Sequence, residues 1–482
     1  MENVQHGTVV RPWSNSVALV SFQGLCVVPG GVKSLKCNAV VYSVGLITQR
    51  SVVQIYPPQP TFLAENKRHL KFGATQMPHL AAPEPRKPSR YAIPPHTPAI
   101  QALVTGIFLL SLASAMAAAQ TLTTLYTFTN ATDGAYPSAG LIRDGQGNLY
   151  GTTAGIGNTA DNGTVFKITP TGTFSVLHAF AGGSDGASPF AGLLADGKGN
   201  FYGATEDAGR YGFGTVFKVT SAGTESVFYS FGGGKYGGAP ANGLIWGPNG
   251  DLYGVAGESA FTLTFGHKET TLYTFTERGA AGWQVSSRLV RNAQGNFYGT
   301  TNFGGLPGCV LGFGCGVVFE LTPSGTVTPL YSFTGGADGG NPGGGLVLDE
   351  QGNIYGTAST GGVGSCSHGS GCGVVFELTP SGNETVLYSF TGGADGADPD
   401  GVLLREAGGN LYGTTGGGGS SGVGTVFEVT STHVEKALYS FTGGADGSVP
   451  SGSLVRDAQG NFYGTTSRGG ASSFGTVFKL AP

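Results

Sequence analysis

Apolar and polar positions alternate in short bursts, and the bursts recur in one order. "GSLVRD" (452–457), "NFYGTTS" (461–467) and "GTVFKL" (475–480) each carry the period-2 or continuously apolar pattern of a short strand, as does "ALYSFT" (437–442). Between such segments lie D-x-x-G-N, a glycine-rich stretch, T-P-S-G and G-G-A-D-G, all of them turn chemistry. The pattern predicts four strands in a unit of roughly 50 residues.

That unit is repeated seven times. The LYSF-type strand begins at Leu125, Leu177, Phe228, Leu272, Leu330, Leu387 and Leu438. A G-N-x-Y-G marker places Tyr150, Tyr202, Tyr253, Tyr298, Tyr355, Tyr412 and Tyr463, and a T-V-F marker places Phe166, Phe217, Phe261, Phe319, Phe376, Phe427 and Phe478. From each T-V-F phenylalanine to the next LYSF strand is eleven residues, whereas the stretch from tyrosine to phenylalanine runs 16, 15, 8, 21, 21, 15 and 15 residues. One loop per unit is free to vary, and the other connections are held to length.

Seven four-stranded units predict an all-β fold, a seven-bladed β-propeller. The last copy stops after its T-V-F strand, and the first LYSF strand has no T-V-F strand before it. Residues 121–128 are therefore expected to complete the C-terminal blade and close the ring, protecting an edge. An open β-solenoid is the alternative, and complementary ends argue against it because solenoids use atypical capping repeats.

Units such as "LYSFTGGADGGNPGGGLVLDEQGNIYGTASTGG" followed by "GVVFELTPSG" resemble the GloVer repeat of bacterial choice-of-anchor proteins, named from Gloeobacter and Verrucomicrobia. The resemblance covers about 121–482. It implies a secreted or surface-displayed repeat protein, often with a C-terminal sorting anchor, and supplies no catalytic residues. This sequence ends at Pro482 without such an anchor, so release is expected.

Composition agrees with strands and tight turns: 87 glycines, 29 phenylalanines and 19 tyrosines, with 11% charged residues. The first 117 residues carry ten Lys/Arg against three Asp/Glu, and the remainder 15 against 26. The repeat region is thus acidic and lacks the basic footprint of a nucleic-acid binder.

Ahead of the repeats, Arg86, Lys87 and Arg90, then the apolar run Leu103 to Leu112 and Ala115-Met116-Ala117 read as a signal peptide over 77–119. Met77 is the expected start, with 1–76 an upstream extension; retention by 102–119 as a membrane anchor is the alternative. The expected product is a secreted, extracellular or periplasmic monomer with no membrane span in its mature form.

The variable loops and the G-G-A-D-G loops should share one face. That face carries Asp133, Asp185, Asp338, Asp395 and Asp446, with Lys235 in place of the aspartate in the third copy, and "DGADPD" adds Asp398 and Asp400. Each aspartate reads either as the cap of an Asp-Gly turn or as part of a carboxylate ring for Ca²⁺, a cation or a sugar. The D-x-x-G-N aspartates, replaced by Gly247, Asn292 and Glu406 in other copies, read as turn caps.

Tyr211, Phe213, Phe303, Phe313 and Phe474 lie in or beside the variable loops and could stack on sugar rings. These features make a non-catalytic propeller that binds a polysaccharide or a surface protein the leading expectation. A polysaccharide lyase or glycosidase would need carboxylates converging at the ring axis, and a structural domain of a surface assembly is the third possibility. His178, His267, His368 and His433 suggest no triad, and Glu206–Asp207 is the best acidic pair in a variable loop.

Cys309, Cys315, Cys366 and Cys372 occupy matching positions in the two longest loops. An exported protein with paired cysteines predicts disulfides Cys309–Cys315 and Cys366–Cys372. The competing reading is a Cys₄ zinc site shared by neighbouring blades, against which the six-residue separations weigh.

Overall fold

The computed structural model describes residues 120–155, 161–233, 237–277, 279–306, 313–366 and 370–482. The leader and the 1–76 extension therefore lie outside the described residues, as do Lys235, Cys309 and His368. Among the described residues every regular element is a strand. No described helix is long and apolar enough to cross a membrane.

Seven antiparallel sheets form the blades of a propeller. The first blade runs from an innermost strand, Ile142–Arg143, through Leu149–Thr153 and Thr164–Ile168 to an outermost strand, Phe174–Ala179. The seventh takes Val455–Arg456, Phe462–Thr466 and Thr476–Ala481 from the end of the chain, and Thr121–Thr127 supplies its outermost strand. Thr121 stands opposite Ala481 and Thr127 opposite Thr476, so the ring closes through its ends. The open-solenoid alternative is thereby ruled out.

The markers owe their constancy to packing. The seven T-V-F phenylalanines are at most 1% exposed and sit between neighbouring sheets; burial of each contributes about 1.5–3 kcal/mol. The G-N-x-Y-G tyrosines reach across the blade junctions, with Tyr150 4.3 Å from Phe201, Tyr253 4.4 Å from Phe297 and Tyr412 4.8 Å from Phe462. Beside each phenylalanine the pairing of third and outermost strands slips by a residue, in all seven blades. Such a bulge sharpens local twist, which turns the outermost strand toward the next blade.

Candidate site at the mouth of the central channel

The loops between second and third strands and the loops linking one blade to the next do share a face. Backbone bridges such as Ala187 to Asp207, Gly340 to Thr360 and Ser448 to Arg468 tie the two sets together. Where they meet, they surround a bowl of about 920 Å³ lined by Glu206, Glu258, Gln284, Asn341, Asp398 and Asp400 among others. The bowl shares Asn242, Ser286, Asp400 and Ser451 with a narrower cavity of about 290 Å³, to which the approaches of all seven innermost strands contribute: the central channel.

A ring of strained residues, five of which line the bowl, runs through these loops. Tyr136, Ser188, Ala239, Gln284, Asn341, Asp398 and Val449, one per blade, all have φ between 51° and 58°. For non-glycine residues the left-handed region costs about 1–2 kcal/mol each, and it persists only where surrounding structure enforces it.

The enforcing contacts are visible. The amides of Tyr136, Ser188, Ala239, Asn341, Asp398 and Val449 donate to the carbonyls of Phe474, Asn162, Phe213, Cys315, Cys372 and Val423 in the preceding variable loop, at 2.8–3.1 Å. Six of the seven are followed by proline, and each proline ring lies on a loop glycine, as Pro399 does on Gly373 and Pro450 on Gly424, where any side chain would collide. The seventh is the exception that fits: its preceding loop is the shortest, Val285 replaces proline, and the Glu258 carboxylate accepts the Gln284 amide at 2.8 Å.

Sequence reading missed this ring. Its signal was a column of seven unlike residues next to a nearly constant proline.

The cysteines belong to the same device. Cys366 and Cys372 form a disulfide, which excludes the shared zinc site for this pair. Cys315 is also disulfide-bonded, while its expected partner, Cys309, lies outside the described residues. Cys315 and Cys372 are fully buried, and theirs are the carbonyls that hold Asn341 and Asp398. The bridges staple the loops to the strained rim.

The G-G-A-D-G aspartates are engaged locally. Asp395 accepts from Tyr388 Oη (3.0 Å), Thr391 N (2.7 Å) and Thr391 Oγ1 (2.6 Å). Asp446 does the same with Tyr439 and Thr442, Asp338 with Tyr331 and Thr334, and Asp133 with Tyr126 and Thr129. In the remaining copy His178 replaces the tyrosine and stands 3.3 Å from Asp185. These carboxylates tie a blade's outermost strand to the following turn.

The D-x-x-G-N aspartates behave likewise: Asp457 accepts from Asn461, Gln459 and Tyr463, and those bonds hold it down at about 2 although burial alone would raise it. Among the described residues no three His, Cys, Asp or Glu side chains are grouped to hold a metal ion.

Asp398 and Asp400 differ from that ring. Both line the bowl, and neither carboxylate has a hydrogen-bond partner among the described residues. Crowding by surrounding protein, then the neighbouring Asp398 charge, pushes the Asp400 carboxyl up to about 6 even though the side chain opens on the bowl, and the same crowding raises Asp398. Glu206 is also raised, by burial and by Asp207. The rim is therefore acidic and rich in amides and hydroxyls.

The aromatic candidates split. Tyr211 (53%), Phe213 (46%) and Phe313 (47%) are exposed. Phe303 packs between Trp283 (4.9 Å) and Phe313 (6.2 Å) beside a second cavity of about 590 Å³, away from the axis. Phe474 is half-buried and packs against Tyr136 at 5.9 Å.

Among curated proteins none matches the chain. Solved structures with low similarity include the extracellular domain of a candidate hybrid two-component system from B. thetaiotaomicron (12% identity, TM-score 0.47), covering 74% of this chain. The chain spans 39% of that protein's length. A gluconolactonase from Xanthomonas campestris (16%, TM-score 0.38) shares 76% of this chain and 92% of its own. A candidate 6-phosphogluconolactonase from Bacteroides fragilis (16%, TM-score 0.42) shares 66% and 86%. The model of the Gloeobacter/Verrucomicrobia repeat matches residues 111–262 and 316–482, and the chain belongs to that family.

Proposed function

We propose that this protein is a secreted, non-catalytic propeller that binds a saccharide in the bowl at the channel mouth. The observation that carries the reading is the strained ring: seven backbones are held in one costly geometry while their side chains differ from blade to blade. Such expense at a rim is the mark of a recognition surface. Its amides, hydroxyls and acidic groups match the hydroxyls of a sugar.

The unengaged carboxyl of Asp400, held near 6, favours a second reading, in which it serves as an acid in glycoside cleavage. A glycan-array screen beside a reducing-end release assay separates the two. Binding without release supports the first, release that disappears in Asp400→Asn the second, and silence in both rejects the bowl as a saccharide site. For an identified glycan, Asn341→Ala and Asp398→Ala should each weaken binding about tenfold or more, and unchanged affinity in both would displace the site from this rim.

A further inference from the structure

The channel below the bowl departs from the repeat in three blades. At the position preceding the innermost-strand leucine, the copies carry Gly140, Gly192, Gly243, Arg288, Gly345, Val402 and Ser453. Two residues earlier stand Ser138, Phe190, Ala241, Ser286, Gly343, Asp400 and Ser451. Small residues fill these two positions except for Phe190 in the second blade, Arg288 in the fourth and Asp400 and Val402 in the sixth, and all four border the same cavity of about 290 Å³. Three unlike groups from alternate blades thus border one cavity, Phe190 and Asp400 at one level and Arg288 two residues further along its strand approach.

None of the three has a structural explanation. Phe190 leaves 42% of its surface exposed inside the channel approach. Arg288 is exposed to channel water, and among the described residues it has neither an ion pair nor a hydrogen bond. Its stem rests over Gly243, and the Asp400 carboxylate lies over Gly343, where a side chain would collide with it. A guanidinium that opens unpaired on a cavity presents a planar fork of donors that fits a carboxylate or a phosphate.

We infer that the channel is a subsite for a carboxylate-bearing sugar, a hexuronic acid unit, with its carboxylate on Arg288, a ring face on Phe190 and a hydroxyl on Asp400. Guanidinium and carboxylate match as a bidentate pair, and an exposed aromatic face suits the C–H face of a pyranose. A cavity of about 290 Å³ is at the lower end of ligand-sized spaces, enough for one terminal residue rather than a chain. The inference rests on the saccharide reading of the bowl above it, and it adds the acidic class and the residue that selects it.

The test is calorimetric titration of the full-length protein and of Arg288→Ser with glucuronate, glucose and glycine. Arg288→Ser restores the type of residue the seventh copy already carries as Ser453, so the fold should survive, which circular dichroism checks. Glucuronate should bind at least about tenfold more tightly than glucose, in line with a charge-assisted pair. Arg288→Ser should erase that preference and leave glucose unchanged.

Glucuronate binding no tighter than glucose, or a preference untouched by Arg288→Ser, overturns the subsite while sparing the bowl. Glycine binding more tightly than glucuronate replaces the sugar acid with a zwitterion and also overturns it. If neither sugar binds the native protein, while larger glycans bind in the array, the subsite alone fails; silence in both assays removes it together with the saccharide reading.

Discussion

Cutting the Cys366–Cys372 bridge should loosen one point of the rim and leave its counterpart in the next blade untouched. In Cys366→Ser the fully buried Cys372 stays in place, so the core is undisturbed and the cross-link alone is lost. The bond closes a ring of seven residues, 366–372, for which the chain-entropy expression gives about 2.4 kcal/mol. Unfolding entropy of about 2.1 cal/mol/K per residue over roughly 360 propeller residues turns that into a fall in Tm of about 3 °C.

Calorimetry reads the global term, and hydrogen exchange reads the local one. The Asp398 amide donates to the Cys372 carbonyl at 3.1 Å, whereas the Val449 amide donates to Val423 at 2.9 Å in a loop without cysteines. Exchange at Asp398 should accelerate and exchange at Val449 should not. Equal acceleration at both sites, or none at Asp398, would refute the claim that the disulfide holds the rim.

Other outcomes follow from the same geometry. Tyr388→Phe removes a hydrogen bond to the Asp395 carboxylate and should lower stability by about 1.5–3 kcal/mol in denaturant titration. Phe128→Ala, at a fully buried site in the closing blade, should cost about 3–5 kcal/mol by the same measurement.

Stability should also fall as pH rises from about 4.5 through 7. Glu225, Glu384 and Glu435 are each raised to about 7, by burial and then by Asp185, Asp338 and Asp395 respectively, with Tyr331 beside Glu384 and Tyr388 beside Glu435. The folded protein therefore holds these protons where the unfolded chain, at 4.5, has released them. Their contribution is complete below that value and lost through 7. Half-exposed carboxyls give about 1 kcal/mol each after screening, and melting curves of the triple glutamine variant at pH 5.5 and 8 should show a smaller drop than the native protein.

The blades and their closure were legible because they rest on constant spacing. The phenylalanine of T-V-F and the tyrosine of G-N-x-Y-G must meet the same neighbours seven times, so drift in either would be felt in packing. The mouth was read poorly for the opposite reason. Its residues share a backbone conformation and no side-chain type, and φ leaves no direct trace in a sequence.

Asp395 and Asp398, three positions apart in "DGADPD", illustrate the difficulty. The first is consumed by a turn and the second is presented at the rim, and only their hydrogen bonds separate them. Arg288 could have been found by asking which copy breaks a column of small residues. That question needed the channel-lining columns, which the alternation of strands so short did not define.

The strand Thr121–Thr127 pairs with residues some 350 positions further along, so during synthesis it waits alone until the final blade exists. An unpaired edge invites association with other chains. This one reads T-L-T-T-L-Y-T, four threonines in seven residues, which lets it remain hydrated through that wait and still form a ladder at the end. The strand that closes the ring thus also has the composition to stay in water until it is needed.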